Sequence, residues 1–160
     1  MEDRYLFKAK RLDNGEWVIG NLIQNPFFKG VRSWISSEQE DKTRLRSISR
    51  TQALWNSIEV DSSTICQCTG LKDETGKLIW ENDIIHKPFY TDYDACANSE
   101  AYTGRIQYED GGWSIEIIKF DGNVCVSPII DMIAYSKDIE HFEVIGNTFD
   151  NKELLESEEK

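Results

Sequence analysis

The chain has little of what usually announces an activity. It has two histidines, His86 and His141, and neither stands beside a recognisable nucleophile motif. A Gly-x-Ser-x-Gly turn is absent, so hydrolase chemistry built on that elbow has no support. No apolar run approaches the ~18–20 residues a membrane-crossing helix needs. Met1-Glu-Asp-Arg-Tyr5 lacks the basic and then apolar regions of a secretory signal. A cytoplasmic protein without membrane contact is the expectation. With three prolines and two methionines, the sequence has little low-complexity character.

Cysteine is also sparse. Cys66 and Cys68 are two apart, whereas Cys96 and Cys125 are isolated. A disulfide framework belongs to an oxidising compartment, for which the sequence gives no sign. On a strand Cys66 and Cys68 share a face, about 7 Å apart. Cys-x-Cys with two distant histidines is a poor match to the ligand spacing of zinc sites. No metal and no cofactor is expected.

What is present is an ordinary globular composition, 39% apolar and 29% charged in 160 residues. A chain of that length buries roughly 70% of its unfolded surface and needs no covalent staple. It fits a single domain over 1–160, or an N-terminal lobe (1–60) with a C-terminal barrel (61–155). The net charge of −11 is uneven: residues 1–60 carry ten Lys/Arg against eight Asp/Glu, and residues 61–160 carry eight against twenty-one. The acidic part repels a nucleic-acid backbone at long range. Arg32, Lys42, Arg44, Arg46 and Arg50 form a local basic cluster, either a solvated face or a phosphate-binding strip.

Period-two patterns dominate. Tyr5, Phe7 and Ala9 alternate with Leu6, Lys8 and Lys10. Asp13-Asn14-Gly15 follows, then a strand with Trp17, Ile19 and Ile23 on one face: a β-hairpin. Phe27–Gly30 and Val31–Ile35 read as a short strand pair or an insertion. Residues 36–57 are polar without period, the best candidate for a mobile or partner-contacting element. Strands are expected over Ser63–Cys68 and Lys77–Trp80, and again from Ile84. Between the first two, Gly76 takes positive φ; Asn82 tolerates the left-handed region before the third. Glu109-Asp-Gly-Gly112 joins a second hairpin, Gly104–Tyr108 to Trp113–Ile118. A last strand is expected over Ile139–Gly146, and Asp150 with Glu153 has the spacing of a capping box opening a short C-terminal helix. Many short strands and one helix make the fold mainly β, a barrel or sandwich.

Candidate chemistry fails on physical grounds. Gly70-Leu-Lys-Asp-Glu-Thr-Gly76-Lys77 has five residues between its glycines and an apolar strand after the lysine. A phosphate loop needs four and a helix N-terminus. Asp73 with Glu74, and Glu81 with Asp83, lie at turns, where solvated carboxylates are the default rather than acid–base pairs. Catalytic residues: none. Of the tryptophans, Trp17, Trp80 and Trp113 belong to the core by their apolar neighbours. Trp34 and Trp55 flank the basic segment, placed to stack on bases or fill a partner pocket, or else to pack on the domain. The candidate contact residues are therefore Arg32, Trp34, Arg44, Arg46, Arg50 and Trp55.

Four anchors in order resemble the YopX family, encoded in phages and prophages. They are Gly15-Glu-Trp-Val-Ile-Gly20; Thr69-Gly-Leu-Lys-Asp-Glu-Thr-Gly-Lys-Leu-Ile-Trp-Glu-Asn-Asp-Ile-Ile85; Gly104-Arg-Ile-Gln-Tyr108 with Gly112-Trp113; and Glu143-Val-Ile-Gly-Asn147 before Asn151-Lys-Glu-Leu-Leu155. Asn82 stands where the family more usually has glycine, and Phe28–Asn56 matches no anchor. The resemblance implies a mainly-β, SH3-like barrel, a bacterial cytoplasmic or phage setting, and homo-oligomers. It brings no catalytic residues. The functional expectation is a non-enzymatic barrel that binds protein, itself included, with no small-molecule substrate; the alternative is a nucleic-acid-binding accessory or regulatory protein of a phage.

Overall fold

The structure, a computed structural model, describes residues 3–25, 32–36, 57–88, 101–120, 129–131 and 141–155. It is mainly β. Among the described residues eleven strands run in order: β1 (Phe7–Lys10), β2 (Trp17–Asn25), β3 (Arg32–Ser36), β4 (Ile58–Val60), β5 (Cys66–Lys72), β6 (Leu78–Trp80), β7 (Asp83–Lys87), β8 (Tyr102–Glu109), β9 (Gly112–Phe120), β10 (Ile129–Asp131) and β11 (Glu143–Asn147). They form two antiparallel sheets, ordered β4-β3-β2-β1-β5-β6 and β10-β9-β8-β7-β11. The expected closed barrel is not what the described strands make, because each sheet ends on strands that do not pair with each other. The chain divides into two compact units, residues 1–68 and 69–160, with the boundary inside β5.

Unit one is built on the first hairpin. Asn14 and Gly15 turn the chain: Gly15 takes φ 75°, and the Asn14 carboxamide oxygen accepts from the Glu16 amide at 3.0 Å. Lys10 then faces Trp17, and Phe7 faces Gly20. Ala9, Val18, Ile35 and Val60 form the core, with Phe7, Leu22, Ile58 and Ile65 packed against it. Just past β1, Arg11 bridges Val60, Leu12 N–H donates to Glu59 O, and Asp61 N–H donates to Lys10 O. The residues expected to begin a strand at Ser63 instead form a 3-10 turn, Ser62–Thr64, capped by the Asp61 carboxylate, which accepts from the Ser63 amide at 2.9 Å. Asp61 is held below its ordinary range by the Ser63 hydroxyl and amide.

Unit two packs Ile79, Ile85, Tyr102, Ile106, Ile115, Phe142 and Val144, with Leu71, Trp113 and Ile117 against them. Its long hairpin, β8–β9, turns at Asp110 and Gly111, both at positive φ (50° and 83°). That matches a two-residue turn whose twist suits the flanking strands. Gly104 lies at the register shift between β8 and β9, where a Cβ would stand 2.4 Å from Ile115 Cγ2. The expected terminal helix is, among the described residues, a single 3-10 turn, Lys152–Leu155. Asn151, rather than Asp150, anchors it: its carboxamide oxygen accepts from the Asn147 amide and its backbone carbonyl from Leu154.

Candidate functional site

Unit one presents its least expected surface on the outer side of its sheet. Strand β2, Trp-Val-Ile-Gly-Asn-Leu-Ile-Gln-Asn, is apolar on both sides. Its core side carries Val18 and Leu22. Alternation puts Trp17, Ile19 and Ile23 on the other. These were the residues expected to face the core. The register sets Ala9 beside Val18 and Leu22 beside Ile35 on the side of the sheet that forms the core.

On this outer side the lysines of β1 meet the tryptophan of β2. Lys10 is registered with Trp17 and Lys8 with Ile19. The Lys8 ammonium lies 5.1 Å from the Trp17 ring centroid and that of Lys10 lies 5.5 Å away. Each such contact contributes about 0.5–1 kcal/mol at an exposed site. Ile19 beside them is 44% exposed. Further along β2, Ile23 faces Trp34 of β3, and Trp34 faces Glu59 of β4. The surface therefore combines two indoles, two isoleucines and two ammonium groups.

Two of the six residues singled out from sequence fall on it. Trp34 is half-buried and Arg32 is exposed, with its guanidinium 3.7 Å from the Glu59 carboxylate. Arg44, Arg46, Arg50 and Trp55 lie outside the described residues. Sequence reading missed Lys8, Lys10, Trp17 and Ile19 as a group. The available signal was β2 itself, whose apolar residues occupy both alternation classes when one interior can take only one of them.

The motif Thr69–Ile85 holds buried carboxylates, contrary to the expectation of solvated ones. Asp73 is 6% exposed and Asp83 2%. Asp73 Oδ1 accepts from the Thr75 amide (2.9 Å), the Thr75 hydroxyl (2.7 Å) and the Lys77 amide (2.9 Å). Its Oδ2 accepts from the Val144 amide on β11 at 3.2 Å. Burial pushes its pKa up, but the Thr75 hydroxyl and the amides of Lys77, Val144 and Thr75 outweigh it, so the carboxyl sits below its ordinary range. Asp83 Oδ2 accepts from the Trp80 amide at 2.9 Å. Asn82, between Trp80 and Asp83, takes φ 63°. Asp73 stays ionised and both carboxylates organise backbone, which is the opposite of an acid–base pair with one raised member.

The polar side of the unit-two sheet assembles no reactive set. His86 Nδ1 lies 3.4 Å from the Thr103 hydroxyl, too long for a strong bond. Arg105 binds Glu116 at 2.5 Å. Among the described residues the buried Arg105 Nε and Ser114 Oγ have no hydrogen-bond partner, but Glu116 already reaches the same guanidinium. Among the described residues, no three His, Cys, Asp or Glu gather in a metal-binding group. Cys66 and Cys68 are buried, and the Cys66 thiol donates to the Thr64 carbonyl oxygen at 3.4 Å. No helix among the described residues is long and apolar enough to cross a membrane.

Among curated proteins none matches this chain. Among solved structures it is similar to protein EF1440 from Enterococcus faecalis, with 22% identity over 94% of this chain and 96% of that one and a TM-score of 0.45. The family model described as YopX protein matches residues 6–156.

Proposed function

The chain belongs to the YopX family, and from that premise we propose that it is a non-enzymatic, phage- or prophage-encoded protein that works by binding other protein surfaces, its own included. The contact surface is the outer side of the unit-one sheet. The observation that carries the reading is Trp17, half-buried on that side beneath two ammonium groups, with Ile19 44% exposed beside it. A half-buried indole beside an exposed isoleucine, rimmed by charge, has the composition of a contact site.

An SH3-like arrangement of unit one is part of this reading. Four antiparallel strands, a 3-10 turn and a fifth strand returning to β1 support it, as does the Arg11–Val60 bridge. Small barrels of this kind offer a strand face to ligands. Contact with nucleic acid is the second reading, favoured by Lys8, Lys10 and Arg32 on one side of the sheet.

The test is a pulldown from host lysate with the wild-type chain and with Ile19→Glu, alongside a gel shift with single-stranded DNA at low salt. The reading expects a retained protein that Ile19→Glu loses. Equal retention by both chains, or a DNA shift that Ile19→Glu leaves intact with no protein retained, refutes it.

A further inference from the structure

Which chemistry fits the unit-one face is constrained by what already sits on it. The Trp17 ring has the ammonium groups of Lys8 and Lys10 over it, so a base could stack there only by displacing them. Ammonium groups held beside an apolar stripe instead match carboxylates flanked by aliphatic side chains. The chain contains such a segment. Residues 153–159, Glu-Leu-Leu-Glu-Ser-Glu-Glu, hold four carboxylates and two leucines with no lysine or arginine. Its base is fixed on unit two: the Asn147 amide donates to Asn151 Oδ1 at 3.2 Å and Asn147 Nδ2 to Asp150 Oδ2 at 3.0 Å.

We propose that the face formed by Lys8, Lys10, Trp17 and Ile19 receives the acidic segment 153–159 of a second copy of this chain. The inference rests on reading that face as a contact surface. Charge supports the choice of partner. Residues 1–68 carry ten Lys/Arg against nine Asp/Glu, whereas residues 69–160 carry eight against twenty. Two copies meeting through their acidic units repel each other, and only a contact that brings unit one of one copy to unit two of the next opposes unlike charges. Such a contact is made twice, reciprocally, in a two-fold dimer, or runs head to tail, building a ring where the rotation closes and an open chain where it does not.

The experiment is light scattering of the full chain over a range of concentrations, at about 0.05 M and about 0.5 M salt, where screening lengths differ roughly threefold. The expected result is a mass that rises with concentration at low salt and an association about tenfold weaker at high salt. Lys8→Glu with Lys10→Glu in one chain weakens association by about tenfold or more, consistent with losing two ion pairs. A chain with Glu153, Glu156, Glu158 and Glu159 changed to Lys does the same. Mixing the two altered chains restores association, which misfolded variants could not do. A synthetic peptide of residues 150–160 competes. A monomer at every concentration, an association that both sets of changes leave intact, or single-stranded DNA held by the face without displacement by the peptide overturns the proposal. If the chain is monomeric but Ile19→Glu still abolishes capture of a host protein, the self-contact fails and the contact surface stands. If Ile19→Glu alters neither, both fail.

Discussion

Replacing Asp73 tests how the Thr69–Ile85 motif works. Its carboxylate accepts four hydrogen bonds, three within its own turn and one from Val144, 71 residues away in sequence. Asp73→Ala strips the acceptor and leaves buried amides unsatisfied. A single bond to a charged group contributes about 1.5–3 kcal/mol, and a cluster sharing one carboxylate is far from additive, so about 3–4 kcal/mol is expected. Asp73→Asn keeps one carbonyl oxygen for the turn but sets an NH2 group against the Val144 amide; about 2 kcal/mol is expected. In urea, with an m value of about 1.5–2 kcal/mol/M, Asp73→Ala lowers the midpoint by about 2 M with m unchanged. The pH dependence supplies an independent check. The folded-state pKa is depressed below the ordinary 3.8, so the contribution is fully present above that value and is lost as pH falls through the folded pKa. The gap between wild type and Asp73→Asn is flat near neutrality and narrows only in acid. A loss under about 1 kcal/mol for Asp73→Ala, or a gap that stays constant into strong acid, would refute the reasoning.

Three further changes probe other links. Gly104→Ala puts a Cβ 2.4 Å from Ile115 Cγ2 and 3.0 Å from the Glu116 carbonyl oxygen; about 1–3 kcal/mol of overpacking should lower the thermal midpoint, and an unchanged midpoint would mean β8 and β9 are not so close. Asn82 at φ 63° accepts glycine with little change, whereas Asn82→Val costs about 1–2 kcal/mol by urea melt; equal behaviour of the two variants would argue against the left-handed turn. Asp61→Ala removes the cap of the 3-10 turn and costs about 1 kcal/mol, read from the same melts; no loss would place the turn's stability elsewhere.

Local turns were legible because they depend on a few neighbouring residues. Asn14-Gly15, Gly76, Asn82 and Asp110-Gly111 turn the chain where the sequence placed turns, and all but Asn14 take positive φ. Alternation also sorted β1 and β2 into two sets. What alternation cannot say is which set faces inward when both are apolar. In β2 that choice fell to pairing with β1 and β3, and it sent Trp17 and Ile19 outward. Asp73 and Asp83 looked solvated because turns usually are. Their burial comes from strands far along the chain, as the Val144 bond shows. Four of the six expected contact residues, Arg44, Arg46, Arg50 and Trp55, could not be placed by pattern at all, since residues 36–57 have no period to read.

The sequence by itself determined the mainly-β class, the hairpins, the family and the uneven charge, because short-range sterics, period and composition are properties of the chain alone. Tertiary structure decided that β5 returns to β1, that two turn carboxylates become buried backbone acceptors, and that a tryptophan with two lysines over it lies on an outer face. Each of these depends on which distant strand arrives opposite, and strand partners are chosen by burial summed over a whole sheet rather than by any local pattern.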